Sequence, residues 1–152
     1  MSVLIAIGVI AKGVLKGTGG KSMEALSLKQ PSAWAVVKGL KDIENRKWPT
    51  AFRGELLIHA SMNWGPMGEI ILRVNGIEPP SQKDLAFHFG GIVGKVTVID
   101  CVRSHPSKWF FGPWGFVLDN AMELERPIAL KGQLGFFTVP EDVIKEAKWR
   151  TK

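Results

Sequence analysis

Apolar and polar positions along the chain outline a series of short strands. Residues 24–29 alternate, and residues 55–60 form an apolar run typical of a buried strand. The longest strand candidate covers residues 91–102 and is rich in Val and Ile. Shorter extended segments are predicted at residues 43–48, 115–118 and 133–139.

Helical segments are predicted between these strands. Pro31 suits the first turn of a helix over residues 32–40, because its missing N–H is not needed there. A second helix is predicted at residues 66–74 and a short third one at residues 82–88, and Pro140 starts a C-terminal helix. Short strands with interspersed helices predict an α+β domain built on a small β-barrel.

Composition narrows the class of protein. The 152 residues, 45% of them hydrophobic and 22% charged, are enough for one globular domain with a substantial core. The single cysteine, Cys101, excludes an internal disulfide framework and a Cys-rich zinc site, and it fits a reducing cytoplasm. The histidines show no metal-ligand spacing, so no metal site and no cofactor are predicted.

The net charge of +6 is concentrated at the two ends of the chain. Residues 1–22 hold three lysines and no acid, and residues 145–152 hold four basic residues and one acid. The basic and acidic residues between these two ends are equal in number. The basic pI is therefore weak evidence for a nucleic-acid partner, and only local clustering of Lys and Arg would strengthen it.

Residues 26–61 carry the most specific signals. A Gln-Pro helix start, a charged cluster and a strand end follow one another there, in the motifs Gln30-Pro31-x-x-Trp34, Lys41-x-x-Glu44-x-Arg46 and His59-Ala60-Ser61. This pattern resembles the ASCH family, small β-barrel domains related to the PUA fold of RNA-modifying proteins. The resemblance implies a PUA-like barrel with flanking short helices. It also implies RNA or a nucleotide-like ligand as the partner, although a few members are small hydrolases.

The resemblance also implies domain boundaries. Members typically begin close to their first strand, so residues 23–140 are predicted as the ASCH domain and residues 141–152 as a C-terminal helix and basic tail. Residues 1–22 are expected to be an N-terminal extension, either disordered or arising from a mis-annotated start. Their lysines follow an apolar run too short to cross a bilayer, so neither a signal peptide nor membrane association is predicted.

The charged cluster offers two interpretations. In an extended segment Glu44 and Arg46 share a face, and a turn between Gly39 and Ile43 would let Lys41 converge with Glu44. Converged, Lys41 is a cation or a nucleophile or base, Glu44 an acid or base, and Arg46 a clamp for phosphate or carbonyl. In the alternative, a Glu–Arg pair pins the barrel mouth and Lys41 is solvated.

One small amidohydrolase of the family, which cleaves acylated cytidine, departs from this chain. It places a lysine and a threonine at the positions matching Lys41 and Glu44, together with a separate glutamate. Here Glu44 stands where that threonine would be, and no position can be matched to the separate glutamate. Amidohydrolase activity therefore does not transfer residue by residue, and neither do the residues of family members with ribonuclease activity.

Three further ligand contacts are predicted around the cluster. Gln30 either reads a base edge or caps the first helix. Ser61 could pair with His59 on one strand face, although a satisfied buried histidine and a turn serine are the preferred interpretation. In the aromatic loop over residues 104–114, Trp114 is predicted as a cleft wall and Trp109 as the more exposed ring.

The leading hypothesis is an RNA or nucleotide-like ligand bound in one cleft. The cleft would lie between the first helix, residues 41–46 and the aromatic loop, with contacts from Gln30, Lys41, Glu44, Arg46, Ser61 and Trp114. The alternative is a small hydrolase with Lys41 and Glu44 as catalytic groups. A second alternative is an adaptor that binds protein through its aromatic loop and its basic ends. The oligomeric state is left open.

Overall fold

A computed structural model of the protein describes residues 21–151, which form one mixed six-stranded sheet with short helices. The strands are β1 (Met23–Gln30), β2 (Ile43–Arg46), β3 (Gly54–Trp64), β4 (Gly91–Val102), β5 (Trp114–Ala129) and β6 (Phe136–Val139). The helices are α1 (Ser32–Val37), α2 (Pro66–Val74) and α3 (Glu141–Ile144), with a single 3-10 turn at Ala86–His88. The predicted α+β class is confirmed. The predicted extension over residues 1–22 falls almost entirely on residues 1–20, outside the described part.

The sheet has the strand order β2-β5-β4-β3-β1-β6, with β1 parallel to β3 and all other pairs antiparallel. The edge strands β2 and β6 are not hydrogen-bonded to each other within residues 21–151, so the predicted barrel is an open sheet. Its edges nevertheless meet, because the ring of Trp48, just after β2, lies 5.6 Å from that of Phe136 in β6. The result is an α+β fold whose open sheet curves until its two edges approach each other.

Both faces of the sheet are buried, and strand alternation separates them. Leu26 of β1, Leu56 of β3 and Phe116 of β5 share the larger cluster with α1; we call this side the inner face. Ala25 and Leu57, one position away, belong to a second cluster on the outer face. A polar side chain that is buried on either face, such as His59, lies against this core, which makes its partners informative.

Several elements differ from their predicted bounds: β3 continues to Trp64 instead of ending at residue 60, β2 and β6 are shorter than predicted, and the short third helix is only the 3-10 turn. The first helix ends at Val37, because Gly39 adopts a φ of +77° and the Lys41 amide bonds back to the Ala35 carbonyl. Strand β5 continues to Ala129, far beyond residue 118, through an irregular register in which Asn120 has a φ of +52°. The C-terminal helix is only four residues long.

The aromatic loop corrects one prediction. Trp109 is 3% exposed and packs with Ala35, Ile43 and Leu72, so its prediction as the more exposed ring is wrong. Phe111 is the exposed aromatic of this loop, at 58%. Within the described residues, no helix is long and apolar enough to cross a membrane.

Candidate functional site

Strand β2 is four residues long and presents different chemistry on its two faces. Glu44 is in register with Phe116, and Arg46 with Trp114, so both charged side chains lie on the inner face. Ile43 and Asn45 point the other way, where Ile43 is fully buried. Because side chains alternate along Ile-Glu-Asn-Arg, one acidic and one basic residue of β2 lie on the concave, inner face of the sheet.

Lys41, Glu44 and Arg46 converge as an ion cluster. The Glu44 carboxylate lies 3.7 Å from Lys41 Nζ and 2.9 Å from Arg46 Nε. Their side chains are 10%, 13% and 23% exposed, for Lys41, Glu44 and Arg46 respectively. Lys41 Nζ also donates to the Ile43 carbonyl at 2.5 Å. The turn at Gly39 that this convergence needed is present.

Arg46 is held by further contacts besides Glu44. Its Nη2 donates to the Ser27 carbonyl at 3.0 Å, and its guanidinium lies 5.6 Å from the centre of the Trp48 ring. The ladder between β1 and β6 ends at Leu26, one residue before Ser27, so Arg46 reaches β1 where its pairing with β6 stops. Arg46 is thus a positioned guanidinium.

His59 is buried and satisfied, as predicted, but its partner is Ser27 rather than Ser61. Its Nε2 lies 2.6 Å from the Leu130 carbonyl, which can only accept, so Nε2 carries a proton. In the neutral imidazole Nδ1 then accepts from the Ser27 hydroxyl at 2.8 Å. Ser61 accepts from the Asn63 amide at 3.3 Å and lies within β3, so its prediction as a turn serine is wrong.

Gln30 acts as a helix cap. Its side chain is almost fully buried, and its Oε1 accepts from the Trp34 N–H at 2.8 Å. This is one of the two roles that the sequence left open, and it supplies an acceptor to one of the unpaired amides of the first turn of α1. The amide oxygen of Gln30 is therefore engaged within the fold.

Asn45 secures the aromatic loop from the outer face of β2. Its Oδ1 accepts from the amides of Phe111 at 2.7 Å and Gly112 at 2.9 Å, and its Nδ2 donates to the Trp109 carbonyl at 2.9 Å. The adjacent Trp114 is half-buried, and the Arg103 guanidinium lies 5.1 Å from its ring centre. One short strand thus fixes both the ion cluster and the loop beside it.

A cleft of about 480 Å³ adjoins the cluster through Lys41. It lies between the end of α1, strand β5 and the C-terminal tail, over a floor that includes Val96 and Leu118. Lys38 at 3.0 Å and Arg150 at 3.6 Å both pair with Glu123 on its rim. The charged residues of its lining balance, since three basic side chains, Lys41 among them, face three acidic ones.

Sequence reasoning missed Ser27, Asn45 and Arg103. Ser27 is one of several polar residues in an alternating strand, and its partner His59 is 32 positions away. Arg103 follows β4, far from the motifs, and no local pattern connects it with Trp114. Asn45 did carry a signal. It is a polar residue between Glu44 and Arg46, so strand alternation places its side chain on the other face of β2.

Two curated relatives align with most of this chain. Activating signal cointegrator 1 from Homo sapiens is 27% identical over 139 residues, and its Mus musculus counterpart is 26% identical. Each alignment covers 81% of this chain, which spans only 23% of the length of either relative.

The structural and family comparisons cover most of the chain. The crystal structure of a mutant ZmASCH protein from Zymomonas mobilis superposes with a TM-score of 0.51. That superposition covers 83% of this chain and 99% of the other, with 15% sequence identity. At this low identity the similarity is evidence for the fold alone. The family model described as the ASCH domain matches residues 26–134, which span β1 to the loop before β6, so the chain belongs to the ASCH domain family.

Proposed function

We propose that this ASCH domain binds RNA or a nucleotide-like ligand at the inner-face ion cluster. The observation that carries the proposal is the convergence of Lys41, Glu44 and Arg46 at the mouth of the curved sheet. Ser61 and Trp114 complete the proposed set of contacts, whereas Gln30 is buried and bonded to the first turn of α1 and is therefore not part of it. Family membership supports a nucleic-acid-like ligand, and the cluster supplies local cations within residues 23–144, whose basic and acidic residues otherwise balance.

The cluster has donors to spare for a phosphate. A guanidinium has five N–H donors, and Glu44 and the Ser27 carbonyl use two of those of Arg46 among the described residues. Two cations face one carboxylate, so the cluster carries a net positive charge. A partly buried, positioned cation of this type favours a bidentate contact with an anionic oxygen.

The test is equilibrium binding of a labelled single-stranded RNA to the full chain at two salt concentrations. We expect affinity to fall as salt rises, and we expect Lys41→Gln to reduce the salt slope by about 0.7, the value for one phosphate of a single strand. Lys83→Gln, at an exposed lysine outside the cluster, is the matched control. Absence of binding at low salt, or a slope unchanged in Lys41→Gln, would reject the proposed site.

A small hydrolase is the second candidate, favoured by one specific observation. Lys41 lies 3.7 Å from Glu44 and also forms part of the wall of the 480 Å³ cleft, so an acid–base pair adjoins a space of nucleoside size. The test is turnover of acylated cytidines and short RNA by the full chain and by Lys41→Ala. Product that disappears in the variant supports catalysis; no product from either protein rejects it.

A further inference from the structure

Aromatic rings and guanidinium groups alternate in a row at the end of the sheet. The ring of Trp48 lies 5.6 Å from the Arg46 guanidinium, Arg46 is the cross-strand partner of Trp114, and the Arg103 guanidinium lies 5.1 Å from the Trp114 ring. Arg46 and Trp114 belong to the neighbouring strands β2 and β5, Trp48 lies two residues after β2, and Arg103 directly follows β4. We call Trp48, Arg46, Trp114 and Arg103 the aromatic–arginine row.

The topology explains this alignment. Strands β2, β5 and β4 are adjacent in the sheet, and Val102 of β4 pairs with Gly115 of β5. Arg103 therefore emerges beside Trp114 on one side, as Arg46 does on the other. With neighbouring strands about 4.8 Å apart, the two arginines stand about 10 Å apart on either side of one indole.

Trp114 is held as a firm platform. The loop before it is hydrogen-bonded to Asn45 at two amides and one carbonyl. A β-carbon on the following Gly115 would lie within 2.8 Å of the Phe110 ring, so that ring packs directly against the backbone beside Trp114. Because the loop is already ordered in the free protein, binding of a ligand costs little conformational entropy there, and this favours affinity.

We propose that Trp114 stacks an unpaired base of single-stranded RNA while Arg46 and Arg103 contact the flanking phosphates. This inference rests on the proposed function and specifies its ligand. An alternation of indole and guanidinium matches a polyanion that carries one planar base per unit, and base–aromatic stacking requires an exposed base face. In a duplex that face is covered by its neighbours, so double-stranded RNA cannot use the row in this way.

The experiment compares binding of one RNA sequence as a single strand and as a duplex, measured by fluorescence anisotropy with the full chain. Trp114→Ala is expected to weaken single-strand binding about 10-fold, since stacking on one aromatic contributes that much per base. Trp114→Phe should recover most of the loss, because a phenyl ring still stacks. Phe87→Ala, at a ring that is 90% exposed and outside the row, is the control and should bind as the wild type does.

The outcomes separate the two proposals. Preference for the single strand together with weaker binding by Trp114→Ala supports stacking. Salt-dependent RNA binding with no response to Trp114→Ala overturns the stacking proposal and leaves the proposed function intact. No RNA binding by the wild type overturns both. Should circular dichroism show that Trp114→Ala is unfolded, Arg103→Ala replaces it, with affinity expected to fall about 5-fold for one cation.

Discussion

Arg46 of β2 donates a hydrogen bond to the backbone carbonyl of Ser27 in β1, although three strands separate β2 from β1 in the sheet. The bond crosses the mouth of the curved sheet, and the same guanidinium is paired with Glu44. One guanidinium thus connects the proposed site to the opposite wall of the fold.

Arg46→Ala is expected to lower the free energy of unfolding by about 2–3 kcal/mol. The change removes a charged hydrogen bond to Ser27 and leaves the mostly buried Glu44 carboxylate with Lys41, at 3.7 Å, as its remaining ion partner. Urea denaturation measures the loss. Arg73→Ala is the control: Arg73 also has two acidic partners but lies on the surface, where ion pairs contribute little. Equal losses in the two variants would contradict a structural role for the cross-sheet bond.

Gly132→Ala is expected to destabilise the domain by about 1–3 kcal/mol through overpacking. A β-carbon at this position would lie 2.5 Å from Ser27 Oγ and 2.6 Å from His59 Cε1. The bonds from Ser27 to His59 and from His59 to Leu130 leave these groups little room to move. Thermal unfolding would detect the change. Gln133→Ala, at the exposed neighbouring position, is the control and should leave the melting temperature nearly unchanged. An unchanged melting temperature in Gly132→Ala would contradict the prediction and show that the loop can shift.

Asn45→Ala is expected to cost about 2 kcal/mol, since three loop hydrogen bonds lose their partner. Asn45→Asp keeps the acceptor for Phe111 and Gly112 but loses the donor to Trp109, so its cost should be smaller. Hydrogen exchange at the Phe111 and Gly112 amides reports the local effect, with faster exchange in Asn45→Ala. Asn63→Ala, at an exposed position, is the control. Unchanged exchange at both amides would mean that the loop is held by its rings alone.

Glu78 is expected to titrate below its ordinary range in acid. The side-chain hydrogen bond from Arg73, together with the attraction of its charge, lowers the pKa of Glu78, and the same pair raises the pKa of Arg73. A carboxyl whose pKa is lowered by folding stabilises the fold above its unfolded pKa and loses that contribution as pH falls through the folded pKa. NMR titration should show the pKa of Glu78 rising toward its ordinary value in Arg73→Ala. An unchanged pKa would show that the exposed pair is broken in solution.

The sequence predicted the elements with strong local signals and the residues close together along the chain. Helix α2 and strand β4 have their predicted bounds, because Pro66, Asn75-Gly76 and a Val- and Ile-rich run define them locally. The second half of β5 was missed because acids, Asn120 and Pro127 break the alternation there, and only pairing with β4 holds it extended. The burial of Trp109 depends on Leu72 of α2, which no local pattern reveals. The convergence of Lys41 with Glu44 could be stated only conditionally, since it needed the turn at Gly39.

The position of β1 also bears on synthesis of the chain. β1 is the first strand of this sheet to leave the ribosome, yet it lies between β3 and β6, and its Glu24 accepts a hydrogen bond from Thr138, 114 positions later. Its outer edge stays unpaired until residues 136–139 have been translated, so the sheet cannot be completed one hairpin at a time. Ribosome stalling before Phe136 would therefore release a chain whose first strand offers an open edge, the type of surface on which other chains add strands.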